Sequence, residues 1–198
     1  DKAYTSEITA TQVGSAKIGV TIVPLLSSTS QDLQKALKDT DCKGVIFSAN
    51  TKSNGQKRSD IINEVLPELE STYAGNPLSF SQYPNLKHLI NVGFHALPGV
   101  FKFRQLLVYA NSNLTNYKIP TDLDSSVPLY YANQGGNYKQ YTLKDINDFA
   151  ESFRSQNNVS VNDVLAVSGS ACCPGTFATG PYQSLAYGNN VVLYGNES

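Results

Sequence analysis

The chain has 198 residues, 40% of them hydrophobic and 16% charged, enough to bury one sizeable core or a core with an appended lobe. Its formal net charge of -1 supplies no overall field for nucleic acid or an anionic membrane surface, and no run of Lys and Arg offsets this, so nucleic acid is not an expected partner. No apolar stretch approaches the roughly 20 residues of a bilayer span, since Ile18 to Leu26 and Val164 to Val167 are both far shorter.

Taken in chain order, Val13 to Leu26 reads as a short amphipathic element. Within it the β-branched run Ile18 to Val23, ending at Pro24, predicts a buried strand. Thr29 and Asp32 have the spacing of a capping box and open a helix whose Leu33, Ala36 and Leu37 share a face, with Lys35 and Lys38 toward its negative end. A turn over Asp39 to Lys43 leads into a second buried strand, Gly44 to Ser48. Two apolar strands joined by a helix are expected to pair in parallel.

Asn50 to Arg58 reads as a polar loop. Ser59 to Leu69 reads as a helix with Ile61, Ile62, Val65, Leu66 and Leu69 inward, broken at Pro67. Tyr83 to Val92 is a strand with its lead-in, and Phe101 to Ala110, ambiguous between strand and helix, is assigned to helix. The segment 111–141, carrying Pro120, Pro128, Gly135 and Gly136 among Asn, Ser and Tyr, reads as a weakly structured excursion that could wrap a partner.

Thr142 and Asp145 form a second capping box, and Leu143, Ile146, Phe149, Ala150 and Phe153 make a core-facing stripe up to Arg154. Asp163 to Val167 predicts a strand, and Tyr182 to Asn190 a helix or turn.

The cysteines, Cys42, Cys172 and Cys173, make no disulfide framework and favour a reducing compartment. The adjacent Cys172 and Cys173 read as packing thiols rather than a metal or redox pair. His88 and His95 have no carboxylate or thiolate at ligand spacing, so no metal site is expected. Sequons at Asn113, Asn158 and Asn196 read as chance in a chain rich in Asn, Ser and Thr rather than as secretion. A chain that starts at Asp1 and contains no Met reads as a processed form or an excised piece.

Between the last predicted strand and Gly175 lies Val167-Ser168-Gly169-Ser170-Ala171-Cys172-Cys173-Pro174-Gly175. This is the place of a phosphate-binding loop, in which backbone N–H groups point inward and a cation neutralises charge. Ser168, Gly169 and Ser170 are the candidate cofactor-binding residues, for a nucleotide or coenzyme A, but the lysine is missing, and a turn kept because it packs is the preferred reading. No cofactor and no catalytic residue are expected.

The run Ala16-Lys17-Ile18-Gly19-Val20-Thr21-Ile22-Val23, the helix and strand Asp32 to Ile46, and the segments Val65 to Leu69 and Tyr83 to Ile90 together resemble the N-terminal domain of the acyl-CoA synthetase and AMP-forming adenylating superfamily. The resemblance implies an α/β fold, a mostly parallel sheet flanked by helices, here as a single truncated domain over 1–198. The family's phosphate loop reads threonine-serine-glycine-threonine-threonine-glycine-x-proline-lysine-glycine. Against it Ser168, Gly169 and Pro174 match and Ser170 keeps a hydroxyl. Val167, Ala171 and Cys172 depart from it, and Gly175 and Thr176 stand where lysine and glycine belong.

Family members continue for several hundred residues beyond this region. The reading is therefore a noncatalytic accessory or structural subunit of a larger hetero-oligomeric protein assembly, placed in the mitochondrion by synthetase kinship and the processed start, with the cytoplasm as the alternative. The competing readings are a fragment or subunit of an active ATP-dependent acyl-CoA synthetase and a lone acyl- or nucleotide-binding module.

Overall fold

A computed structural model describes residues 6–25, 29–73, 76–108, 125–170 and 173–194. The chain divides into two compact units, one of Asp1–Leu26 with Ile119–Ser198 and one of Ser27–Lys118.

Helix α1 (Ser6–Ile18) occupies the start of the expected strand and ends at Gly19, whose φ of +69° lies where glycine alone is at ease. The Val20 N–H then donates to the Ser15 carbonyl at 2.9 Å, closing the helix terminus. The expected strand Ile18 to Val23 thus shrinks to one bridge, between Ile22 and Tyr130. A helix-terminating glycine outweighed the β-branched run, and Pro24 has no N–H to extend the ladder.

In the unit Ser27–Lys118, α2 (Ser30–Thr40) carries the expected capping box: the Asp32 N–H donates to Thr29 Oγ1 at 3.1 Å and the Thr29 N–H to Asp32 Oδ2 at 3.3 Å. It buries Leu33, Ala36 and Leu37 and stops at Asp41, which is left-handed. Strand β1 (Gly44–Phe47) forms at the expected place, one residue shorter, but of its residues only Phe47 is buried, and Ile46 is 43% exposed. The expected polar loop instead holds a hairpin of β2 (Lys52–Ser53) and β3 (Gln56–Lys57), turned by Asn54 and Gly55 at positive φ, the Asn-Gly chemistry of a tight hairpin.

Helix α3 (Arg58–Val65) buries Ile61, Ile62 and Val65, and Pro67 ends it, opening a tighter helical turn over Pro67–Ser71. Strand β4 (His88–Asn91) pairs in parallel with β1, Gly44 opposite His88 and Phe47 opposite Asn91. The parallel partner of β1 is therefore β4, reached through α3, and not the Ile18 to Val23 run. Strand β5 (Phe101–Lys102) adds to β4, giving the order β1-β4-β5, and α4 (Phe103–Val108) follows, so the expected helix over 101–110 begins with two strand residues.

In the other unit, β6 (Pro128–Gln134) and β7 (Asn137–Thr142) form an antiparallel hairpin turned by Gly135 and Gly136, both at positive φ. This corrects the expected excursion over 125–141; residues 111–124 of it lie outside the described residues. Helix α5 (Leu143–Asn157) has the second capping box and stops at left-handed Asn158. Its core face is narrower than the expected stripe: Ile146 and Ala150 are buried while Phe149 is 49% exposed.

Strand β8 (Val164–Ser168), α6 (Pro174–Thr179), α7 (Pro181–Tyr187) and β9 (Asn190–Tyr194) complete the unit, with β8 and β9 parallel from Val164 opposite Asn190 to Ser168 opposite Tyr194. Strand β9 was not expected from the sequence. Leu129, Tyr130, Ala132, Tyr141, Ile146, Ala150, Phe177 and Ala178 form the core, with the Tyr130 and Phe177 rings tilted at 5.4 Å between centroids.

Candidate functional site

The candidate loop leaves β8 at Ser168 and enters α6 at Pro174, the strand-loop-helix geometry expected of a phosphate loop. Ser168, Gly169 and Ser170 are consecutive at the strand end. Gly169 has φ of +154°, and a Cβ there would stand 2.8 Å from Thr176 Oγ1 and 3.1 Å from Thr176 Cγ2. Glycine is thus required twice, for its backbone and for the close passage of Thr176. Ala171 and Cys172 lie outside the described residues, so the expected reading of the cysteine pair does too; Cys173 is exposed.

Among the described residues at the loop-to-helix junction, two positions offer an anion no free backbone donor. The Cys173 N–H already donates to the Ser170 carbonyl at 3.0 Å. Pro174, at the first helical position, has no N–H, and Cys173 makes no side-chain cap. Helix α6 has six residues, too short for a substantial macrodipole.

The charge is missing as well. Residues 155–198 contain no Lys, Arg or His. The last cation before them, Arg154, is committed elsewhere: its guanidinium donates to Gln183 Oε1 at 3.2 Å, to Asn189 Oδ1 and to the Val159 carbonyl at 3.1 Å, and lies 4.4 Å from the Tyr187 ring centroid. Buried Gln183 donates to the Ala150 and Ala178 carbonyls, and buried Asn189 to those of Ser160, Val161 and Asp163. One guanidinium and two amides thereby tie α5, α6 and α7 to Asn189, just before β9, and to the 158–163 loop. Sequence reasoning missed this cluster, and no local pattern marks it, because Gln183 and Asn189 lie 29 and 35 residues from Arg154.

Two hydroxyls on α7 complete the surroundings: Tyr182 and Tyr187 both donate to Asn147 Oδ1, at 3.3 and 3.4 Å. Burial pushes both phenols above their ordinary range, so both stay protonated as donors.

Elsewhere, Cys42 sits 2.9 Å from Thr40 Oγ1 and burial pushes its thiol up, the setting of an inert packing cysteine. The His88 ring packs near Phe101, with centroids 6.5 Å apart, and the His95 carbonyl accepts from Asn91 Nδ2. Among the described residues no group of three His, Cys, Asp or Glu side chains could hold a metal ion, and no helix is long and apolar enough to cross a membrane.

No protein-family model and no curated protein matches the sequence. The fold does have solved counterparts. It is similar to the crystal structure of Brucella canis acyl-CoA synthetase, with a TM-score of 0.67 and 15% identity over 99% of this chain and 32% of that one. It is similar to the N-terminal domain of FACL13 from Mycobacterium tuberculosis, with a TM-score of 0.62 and 14% identity over 96% of this chain and 41% of that one. It is also similar to apo MatB from Rhodopseudomonas palustris, with a TM-score of 0.68 and 11% identity over 98% of this chain and 34% of that one.

The chain therefore has the α/β fold of part of an acyl-CoA synthetase, as the sequence resemblance implied. It spans about a third of the length of the first and third of these proteins and 41% of the second.

Proposed function

We propose that this chain is a noncatalytic accessory subunit of a larger protein assembly, derived from an acyl-CoA synthetase. The observation that carries the reading is a phosphate-loop geometry with no cation to serve it: none in residues 155–198, and Arg154 spent on Gln183, Asn189 and Val159. Loss of one preorganised donor in such a site costs about 10²- to 10³-fold in rate. Here the cation is missing and the Cys173 N–H is already bonded to the Ser170 carbonyl.

The need for a partner is supported by the β8–β9 sheet. Its face bearing Val164, Val192 and Tyr194 is more than half exposed at each of the three, whereas parallel sheets are normally covered on both faces. A mitochondrial location, with the cytoplasm as the alternative, belongs to the same proposal.

Titration of the chain with Mg·ATP tests the first half: no saturable binding is expected at millimolar nucleotide. Native separation of endogenous material tests the second: other polypeptides should comigrate with the protein, and migration alone would count against it. ATP-dependent pyrophosphate release, by the chain alone or with the proteins that copurify with it, would overturn the proposal in favour of an active synthetase subunit.

A further inference from the structure

The net charge of -1 hides an asymmetry. The unit Ser27–Lys118 holds ten Lys and Arg against seven Asp and Glu, and the other unit five against nine. Between Glu70 and Asp122 there is no carboxylate at all, while Lys87, Lys102, Arg104 and Lys118 fall in that interval.

The same interval carries a concentration of exposed apolar side chains. Strand β5 is the edge of its sheet, and α4, which follows without a break, buries none of its residues. Phe94 is 73% exposed, Leu107 66% and Val108 77%, with Phe101 and Leu106 also exposed. Arg104 ties the set together: its guanidinium lies 4.3 Å from the Phe94 ring centroid, which holds an exposed aromatic and a cation side by side.

We propose that the β5–α4 surface, with Phe94, is a docking surface for an anionic lipid bilayer. Headgroup phosphates match Lys102 and Arg104, and the interfacial acyl region takes Phe94, Phe101, Leu107 and Val108, a pairing of weak apolar insertion with charge that peripheral membrane binding requires. A bilayer needs no shaped counterpart, which suits side chains presented on a two-residue strand edge and a six-residue helix. The overall charge reading of the sequence misses this, because the acidic residues that cancel the cations lie outside the interval.

Flotation of the 198-residue chain with vesicles of phosphatidylcholine containing about 30% phosphatidylglycerol, against pure phosphatidylcholine, tests it. Binding to the anionic vesicles only, weakened by added salt, is expected. Lys102→Glu with Arg104→Glu should lower partitioning about tenfold or more, and Leu107→Ser with Val108→Ser by a similar factor; these positions are exposed or, for Lys102, half-buried, and circular dichroism checks each fold. Lys52→Glu with Lys57→Glu, the same charge change on the β2–β3 hairpin, should leave binding unchanged. Failure to float with the anionic vesicles overturns the proposal. So does an equal loss from the hairpin variant, which would make the attraction general, and so does sedimentation showing that Leu107 and Val108 instead join two copies of the chain without lipid.

Discussion

Asn91 Oδ1 accepts the backbone N–H of Ala49 at 3.1 Å, so a side chain at the end of β4 closes the turn that leaves β1. The same oxygen accepts the Gly93 N–H at 2.9 Å, and Asn91 Nδ2 donates to the His95 carbonyl at 2.9 Å. Asn91 is 1% exposed and Ala49 2%, so water cannot take over the bond to Ala49. Asn91→Ala should destabilise the chain by about 1–2 kcal/mol, because the buried Ala49 N–H loses its partner in the interior while the part-buried Gly93 N–H and His95 carbonyl can turn to water. Urea denaturation measures it, and a cost near that of an ordinary surface change would show that the turns hold themselves.

Arg154 should be more demanding. Arg154→Ala strips acceptors Gln183, Asn189 and Val159 of their shared donor, at an expected cost of about 3 kcal/mol. Arg154→Lys should recover little, since an ammonium cannot reproduce a planar fork spanning three acceptors and a ring face. Full rescue by lysine in thermal unfolding would mean that charge alone matters there.

At Gly169 the backbone and Thr176 act together. Gly169→Ala puts a methyl 2.8 Å from Thr176 Oγ1 on a residue with φ of +154°, and should cost about 1–3 kcal/mol. Adding Thr176→Ala to it should return part of the loss, the contact half, and leave the backbone half. Denaturation midpoints of the two single changes and the double change separate them.

The capping box of α5 and the contact between Glu68 and Ser81 make stability depend on pH. Hydrogen bonds from the Thr142 backbone and hydroxyl hold the Asp145 carboxyl below its usual range, and the Ser81 hydroxyl, followed by backbone bonds, does the same for Glu68. A depressed folded-state pKa contributes stability that is present above the unfolded value, near pH 4, and is lost as pH falls through the folded value. Stability should therefore drop below about pH 4. Thr142→Ala should lower neutral-pH stability by about 1 kcal/mol and flatten the acid limb. An unchanged limb would assign the acid sensitivity to other carboxylates.

The local features were legible from the sequence. Both capping boxes, the break at Pro67, strands β1, β4 and β8 and the helical character of α2, α3 and α5 depend on residues a few positions apart, and on hydrophobic period. Ser168, Gly169 and Ser170 at a strand end before a helix, and the missing lysine, are also local facts. What tertiary structure alone decided is pairing and competition. Whether Ile18 to Val23 became a strand depended on Gly19 ending α1 and on Tyr130, more than a hundred residues away, offering a single bridge. The β6–β7 hairpin emerged from a stretch whose composition reads as loop because its strands are stabilised by packing Leu129, Tyr130 and Tyr141 on Phe177 and Ile146. Arg154 found Gln183 and Asn189, 29 and 35 residues on. Such contacts have no sequence period, because their energy arises only when distant segments have already excluded water from between them.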